Sequence, residues 1–95
     1  MVIHNLLIRL QDNSSENIAK TQALLLSMQG KIEVVRDLKV KPDIRRTEAS
    51  YDLALIAKFD SFADFQTYLP HPEHVKVATQ LKAIIAGVAN VVYEE

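Results

Sequence analysis

The side chains best suited to chemistry at neutral pH fall in one short segment, Tyr68-Leu69-Pro70-His71-Pro72-Glu73-His74. Two of the chain's three histidines lie here, and the third is His4. The spacing predicts that His71 caps a helix and that His74 lies in its first turn, where the helix dipole disfavours positive charge. A neutral imidazole, with a reference pKa of about 6.5, is a usable general base. Tyr68 can donate a hydrogen bond to an oxyanion that develops on a substrate.

Each of these residues also has a structural interpretation. A histidine at a helix start often only satisfies backbone groups, which is the simpler interpretation of His71. Tyr68 and His74 fit either packing or catalysis. His4 falls on the apolar face of a predicted strand, either as a hydrogen-bonded core residue or as part of a pocket.

The three histidines could also form a metal site, because His71 and His74 stand three residues apart and His4 could approach from a sheet. No carboxylate at a fixed spacing supports this alternative. The chain has no cysteine and only two glycines, which excludes thiolate chemistry and a glycine-rich phosphate loop. We therefore predict no metal and no cofactor.

The elements that position these residues follow from periodicity and from capping residues. Alternating apolar and polar residues predict four strands, at residues 2–10, 32–40, 51–59 and 88–93. Capping residues predict three helix starts, at Asn13 with Glu16, at Ser61 with Asp64, and at Pro72. Glycine or proline should end these segments, at Gly30, Pro42, Pro70 and Gly87. The apolar residues expected to point inward from the last two helices are Phe62, Phe65, Leu69, Val75, Ala78, Leu81, Ile84 and Ile85.

This order predicts one α+β domain over residues 1–95, with the split β-α-β pattern of a ferredoxin-like sandwich. Helices would cover one face of a four-stranded antiparallel sheet. The first and third strands are apolar on both faces, so the other face should be a protein–protein surface. We predict a homodimer that packs sheet against sheet, a dimeric α+β barrel.

Composition narrows the remaining function classes. The 95 residues are 48% apolar and carry a net charge of −1, which disfavours disorder and a nucleic-acid partner. No segment predicts a membrane span or an export signal, so we expect a cytoplasmic protein with no membrane partner. Residues 31–46 hold six basic and three acidic side chains. This excess could bind an anion, although charge that protects a strand edge is the simpler explanation.

Several segments together resemble the stress-responsive A/B barrel domain family, called Dabb. They are Val2-Ile3-His4, Gly30-Lys31-Ile32, Tyr51-Asp52-Leu53-Ala54-Leu55, Phe59-Asp60-Ser61 and Tyr68-x-x-His71-Pro72-x-His74-x-x-Val77. The resemblance covers nearly the whole chain and implies a ferredoxin-like monomer within a dimeric barrel.

A plant polyketide cyclase of this family implies roles for three residues. Its acid–base histidine matches His74, its carbonyl-polarising tyrosine matches Tyr68, and another pocket histidine matches His4. Leu53 stands where that cyclase has a further histidine, and its aromatic pocket residues are not evidently reproduced.

Two functions from different classes follow from these observations. The first is a ligand-binding or non-catalytic dimer, in which Tyr68 and the histidines orient a small apolar or aromatic molecule or only close a pocket. The second is a cofactor-independent cyclase or lyase for a polyketide-like or β-keto substrate, with a cofactorless monooxygenase as a variant. In the enzyme, His74 would take a proton, Tyr68 would hold the enolate, and His4 or His71 would orient the base. A cavity at His74, Tyr68 and His4 would favour the enzyme, and a filled core would favour the first function.

Overall fold

Three helices and four strands make up the computed structural model, which describes residues 1–95. Their bounds are β1 (Val2–Leu10), α1 (Ser15–Leu26), β2 (Asp37–Pro42), β3 (Leu53–Phe59), α2 (Phe62–Tyr68), α3 (Pro72–Lys82) and β4 (Ile85–Glu94). All strand pairs are antiparallel, in the order β2-β3-β1-β4. The predicted ferredoxin-like α+β sandwich is therefore confirmed. No helix is long and apolar enough to cross a membrane.

The core lies between the helices and one face of the sheet. Alternate residues of the central strands point into it, as Ile8 of β1 and Leu55 of β3 do. The opposite face carries no helix, and we call it the open sheet face. Its apolar members are Ile3, Leu7, Ala54, Ile56, Ala89, Val91 and Tyr93. Cross-strand register places Leu7 between Ala54 and Ala89, at the centre of that face.

The second strand was predicted at residues 32–40, and this boundary is wrong. Residues 33 and 34 form a turn that is closed by a 3.1 Å hydrogen bond from the Val35 amide to the Ile32 carbonyl, and Ile32 is buried without belonging to a strand. The strand instead runs through Pro42, which was expected to end it. Because β2 is an edge strand, proline costs no ladder hydrogen bond on its solvent side.

The start of α1 is also displaced from the prediction. Ser14, rather than Asn13, is the N-cap, and its Oγ accepts from the Asn17 amide at 3.3 Å. Asn13 instead donates to the Asp52 carboxylate at 3.2 Å. The helix ends at Leu26, and turns continue to Gly30, whose φ of +80° is the conformation that favours glycine.

The capping predictions for the other helices are confirmed, but their inward faces are only partly right. The Ser61 hydroxyl accepts from the Asp64 amide at 3.1 Å, and Pro72 is the first residue of α3. Phe65 and Leu81 are buried as predicted. Four predicted inward residues are exposed: Phe62, Leu69, Val75 and Ile84. In α3 the buried positions are Val77 and Leu81, so the apolar stripe is narrower than the predicted one.

The third strand differs from the prediction at its start, and the fourth strand differs at both ends. β3 begins at Leu53, two residues later than predicted, because Asp52 turns inward. β4 begins at Ile85 and continues through Gly87, which was expected to end a helix. The chain turns directly from α3 into the strand, and the Gln11 amide donates to the Ile84 carbonyl at 3.0 Å.

Asp52 is a buried carboxylate that the sequence interpretation treated only as part of a strand. Its Oδ2 accepts from the Leu10 amide at 2.8 Å, where β1 has left its pairing with β3. Its own amide donates to the Ile8 carbonyl at 2.8 Å. Asp52 thus satisfies backbone groups at the end of β1 and fixes the turn that leads into α1.

Candidate functional site

Three of the four predicted site residues come together on the helix side of the sheet. His4 lies on the core face of β1, Tyr68 is the last residue of α2, and His74 is in the first turn of α3. The Tyr68 and His74 ring centroids are 4.3 Å apart, and those of His4 and Tyr68 are 6.4 Å apart. The short turn between α2 and α3, which contains Pro70, brings His74 back onto Tyr68.

Two phenylalanines complete a continuous group of rings. Phe65 lies 5.1 Å from His4, and Phe59 lies 5.1 Å from Tyr68, centroid to centroid. We call His4, Phe59, Phe65, Tyr68 and His74 the ring cluster. Only 2% of the Tyr68 surface is exposed, so its ring is also a core residue. The sequence predicted Phe65 as an inward residue and Phe59 as the last residue of a strand, but it did not predict their contact with the polar rings.

His74 is oriented by the backbone at the end of α2. Its Nδ1 lies 2.8 Å from the Leu69 carbonyl oxygen. A carbonyl can only accept, so this hydrogen bond requires the proton to be on Nδ1. In the neutral imidazole Nε2 then carries the lone pair, which is the arrangement of an oriented general base.

His4 is buried without a partner for one of its nitrogens. Only 7% of the residue is exposed, and Nδ1 makes no hydrogen bond within the chain. Burial lowers the pKa of His4 below 6.5, and the charge of His74 lowers it further. His4 is therefore neutral at pH 7. An unsatisfied buried polar atom costs about 1–3 kcal/mol, so this nitrogen calls for an explanation.

Tyr68 remains a proton donor throughout the physiological range. Burial raises its pKa to about 12, because the charged phenolate would be poorly solvated among the surrounding rings. The hydroxyl can therefore donate a hydrogen bond to a carbonyl oxygen without losing its proton.

His71 forms the helix cap that the sequence predicted. Its Nδ1 accepts from the Glu73 amide at 3.1 Å, and its Nε2 lies 3.6 Å from a carboxylate oxygen of Glu33. Both ring nitrogens thus have neighbours in the chain itself. A role for His71 in binding or orienting a ligand stays a prediction.

No group of three His, Cys, Asp or Glu side chains is arranged to hold a metal ion.

Two clefts lie away from the ring cluster. One, of about 340 Å³, is between α1 and α3 and is lined by Leu10, Lys20 and Ile84 among others. The other, of about 440 Å³, is on the open sheet face beside Leu7 and Ala54. The ring cluster is packed like a core. On the helix side of β4, Val88 and Asn90 are exposed.

The lowered pKa of His4 predicts a stability that falls as the pH drops below about 6.5. His4 binds a proton more readily in the unfolded chain, so acidification favours unfolding. The free energy of unfolding is measured by urea titration at pH 7.5 and at pH 5. We expect its decrease between these two pH values to be larger in the wild-type protein than in a His4→Leu variant. Equal losses in the two proteins would contradict a neutral, desolvated His4.

The fold and these ring contacts define a ferredoxin-like protein with an aromatic–histidine cluster between sheet and helices. The family model of the stress responsive A/B barrel domain, Dabb, matches residues 2–94. The chain therefore belongs to the Dabb family.

Solved structures from three organisms share the fold. A dimeric protein of unknown function from Bacteroides fragilis is 26% identical with a TM-score of 0.82, covering 99% of this chain and 95% of that one. A dimeric ferredoxin-like protein from Thermobifida fusca is 20% identical with a TM-score of 0.86, covering 99% and 90%. The hydroxynitrile lyase of Passiflora edulis is 20% identical with a TM-score of 0.81, covering 97% and 90%. No curated protein matches the chain.

Proposed function

We propose that the chain acts in the cytoplasm as a homodimer, packed through the open sheet face, that binds a small apolar or aromatic molecule at the ring cluster. The observation that carries the binding site is the unpartnered Nδ1 of His4 among four aromatic and imidazole rings. A ligand that pairs with this nitrogen would remove the cost of leaving it unsatisfied.

The open sheet face supports the dimer. Leu7 at its centre is 39% exposed, and Val91 on β4 is 61% exposed. Apolar side chains that are contiguous on a sheet face favour a protein partner. The related structures from Bacteroides fragilis and Thermobifida fusca are described as dimeric, which supports the same assembly here.

The chemistry of the ring cluster indicates the ligand. Phe59 and Phe65 favour an apolar or aromatic body, which can stack against their rings. The Tyr68 hydroxyl and the His4 nitrogen favour a ligand that carries a carbonyl or hydroxyl group.

The second candidate is a cofactor-independent cyclase or lyase for a polyketide-like or β-keto substrate, favoured by the orientation of His74. Its Nε2 would take the proton next to a carbonyl, and the electron pair of that C–H bond would form an enolate. Tyr68 would donate a hydrogen bond to the enolate oxygen, and the carbanion would attack a second carbonyl of the same molecule. A hydroxynitrile lyase shares this fold, which is a likeness of fold only. Because four of the five rings of the cluster are buried, binding is the better supported of the two.

A thermal-shift screen with alkylphenols and β-diketones tests the binding site. We expect a member of the panel to raise the Tm of the wild-type protein and to bind Tyr68→Phe about 3–10-fold more weakly, the loss of one hydrogen bond. His4→Leu should weaken binding similarly. Lys82→Gln, at the exposed end of α3 away from the ring cluster, is the control and should bind like wild type. Unchanged affinity in both Tyr68→Phe and His4→Leu, or no binding by any compound, would contradict the proposal.

The same compounds distinguish the second candidate. A cyclase or lyase would convert the bound β-diketone, and His74→Ala would abolish the conversion while leaving the ligand bound. Product analysis by mass spectrometry reports turnover. Binding without conversion in the wild-type protein would reject the enzyme and keep the binding protein.

A further inference from the structure

The loop between β2 and β3, residues 43–52, is a well-anchored projection that we call the arm. The Arg46 amide donates to the Asp43 carboxylate at 2.7 Å, and the Asp43 amide donates to the Asp52 carbonyl at 2.9 Å. The Arg46 guanidinium reaches across to the Asn13 carbonyl at 2.6 Å. These bonds fix the arm against the turn before α1.

The arm presents an isoleucine to solvent. Ile44 is 92% exposed, more than any other large apolar residue of the chain. It borders the cleft of about 440 Å³, whose floor includes Leu7 and Ala54 of the open sheet face. The apolar tip of the arm is therefore continuous with that face. A single exposed isoleucine is ordinary, but one held on an anchored loop beside an apolar face indicates a contact.

The charges on the open sheet face indicate which part of a second copy meets the arm. β2 places Asp37, Lys39 and Lys41 on this face, with the two lysines nearer the arm, and Arg45 lies on the arm. A symmetric partner that set this basic end of β2 against its own would oppose these cations with identical ones. The open-face residues of β4 from Gly87 to Tyr93 carry no charge. A twofold axis along the strands sets β2 across the partner's β4 and avoids the repulsion.

We propose that the arm of each protomer closes over β4 of a second copy of this chain and seats Ile44 on the apolar surface around Ala89. Ala89 belongs to the cross-strand row of Lys41, Ala54 and Leu7, which is the open-face row nearest the arm that crosses all four strands. Twofold symmetry makes the contact twice in each dimer. The inference rests on the proposed dimer through the open sheet face, and it adds the residue that anchors that dimer.

The first test removes the anchor. Ile44→Asp should raise the dissociation constant of the dimer about 10- to 100-fold, because two buried isoleucine contacts are replaced by two charges. The Tm of the subunit at a concentration where it is monomeric should not change, since the side chain is exposed there. Val75→Asp, which adds the same charge to an exposed position of α3, is the matched control and should leave the dissociation constant unchanged.

The second test uses the absence of cysteine from the chain. Ile44→Cys and Ala89→Cys are made in separate proteins, mixed in equal amounts and oxidised. We expect a disulfide-linked heterodimer. Neither protein carries both cysteines, so this disulfide can form only between two chains. Efficient cross-linking of Ile44→Cys to itself would place the two arms together and overturn the proposal.

These outcomes separate the arm contact from the dimer itself. An unchanged dissociation constant for Ile44→Asp, together with a monomeric Leu7→Asp, would reject the arm and keep the dimer through the open sheet face. Dimerisation that survives Leu7→Asp would reject that face. A weakened Ile44→Asp dimer with the heterodimeric cross-link supports the arm.

Discussion

Replacement of Leu7 by aspartate is expected to convert the proposed dimer into a monomer of 10.7 kDa. Leu7 lies at the centre of the open sheet face, between Ala54 and Ala89. In a twofold dimer the substitution buries two carboxylates among the apolar side chains at the centre of the face. We expect the dissociation constant to rise more than about 100-fold, an effect of at least about 3 kcal/mol. Size-exclusion chromatography coupled to light scattering, at micromolar protein concentration, measures the change in molecular mass.

Two controls show that the effect belongs to the interface. Leu7→Ala should weaken the dimer only modestly, because it removes contact area without adding a charge. Phe62→Asp introduces the same charge at an exposed site of α2, on the helix side, and should stay dimeric. Far-UV circular dichroism of Leu7→Asp should retain the wild-type shape. A wild-type monomer, or a dimeric Leu7→Asp variant with this fold, would contradict the assembly.

The sheet could be predicted because its pattern is local. In β1 and β3, buried and more exposed residues alternate with the two faces of the sheet. This period of two can be recognised from the sequence without knowing how the elements pack. The boundary of β2 could not be predicted in this way. Ile32 and Val35 resemble strand residues, but turns place Ile32 in the core, and Pro42 is tolerated only because β2 is at an edge. Edge position is a property of the assembled sheet.

The residues of the candidate site could be predicted from the sequence, but the packing around them could not. Cap spacing located His71 and Pro72 at the start of α3, and the family resemblance connected Tyr68 and His74 to chemistry. The packed state of the ring cluster depends on where α3 rests on the sheet. The apolar stripe of α3 does not reveal this position, because Val77 is buried where the stripe predicted Val75. The unpartnered nitrogen of His4 likewise appears only in three dimensions.

Tyr68 belongs to both the core and the site, and these two roles make different demands on its side chain. The ring is 2% exposed and contacts Phe59, Phe65 and both histidines of the ring cluster. The hydroxyl is its only polar group, and burial keeps it protonated. Packing needs the ring, whereas ligand chemistry needs the oxygen, so two substitutions separate them.

Tyr68→Ala should lower the free energy of unfolding by about 3–5 kcal/mol, because removal of a buried ring leaves a cavity between sheet and helices. Tyr68→Phe keeps the ring and should change stability by less than about 1.5 kcal/mol. Urea unfolding at one fixed protein concentration measures both variants, since dimerisation makes apparent stability concentration-dependent. A large loss in Tyr68→Phe would mean that the hydroxyl is structural, and its use in ligand binding would then be wrong. A small loss in Tyr68→Ala would contradict the packing of the ring cluster, because the ring could not then be a core residue.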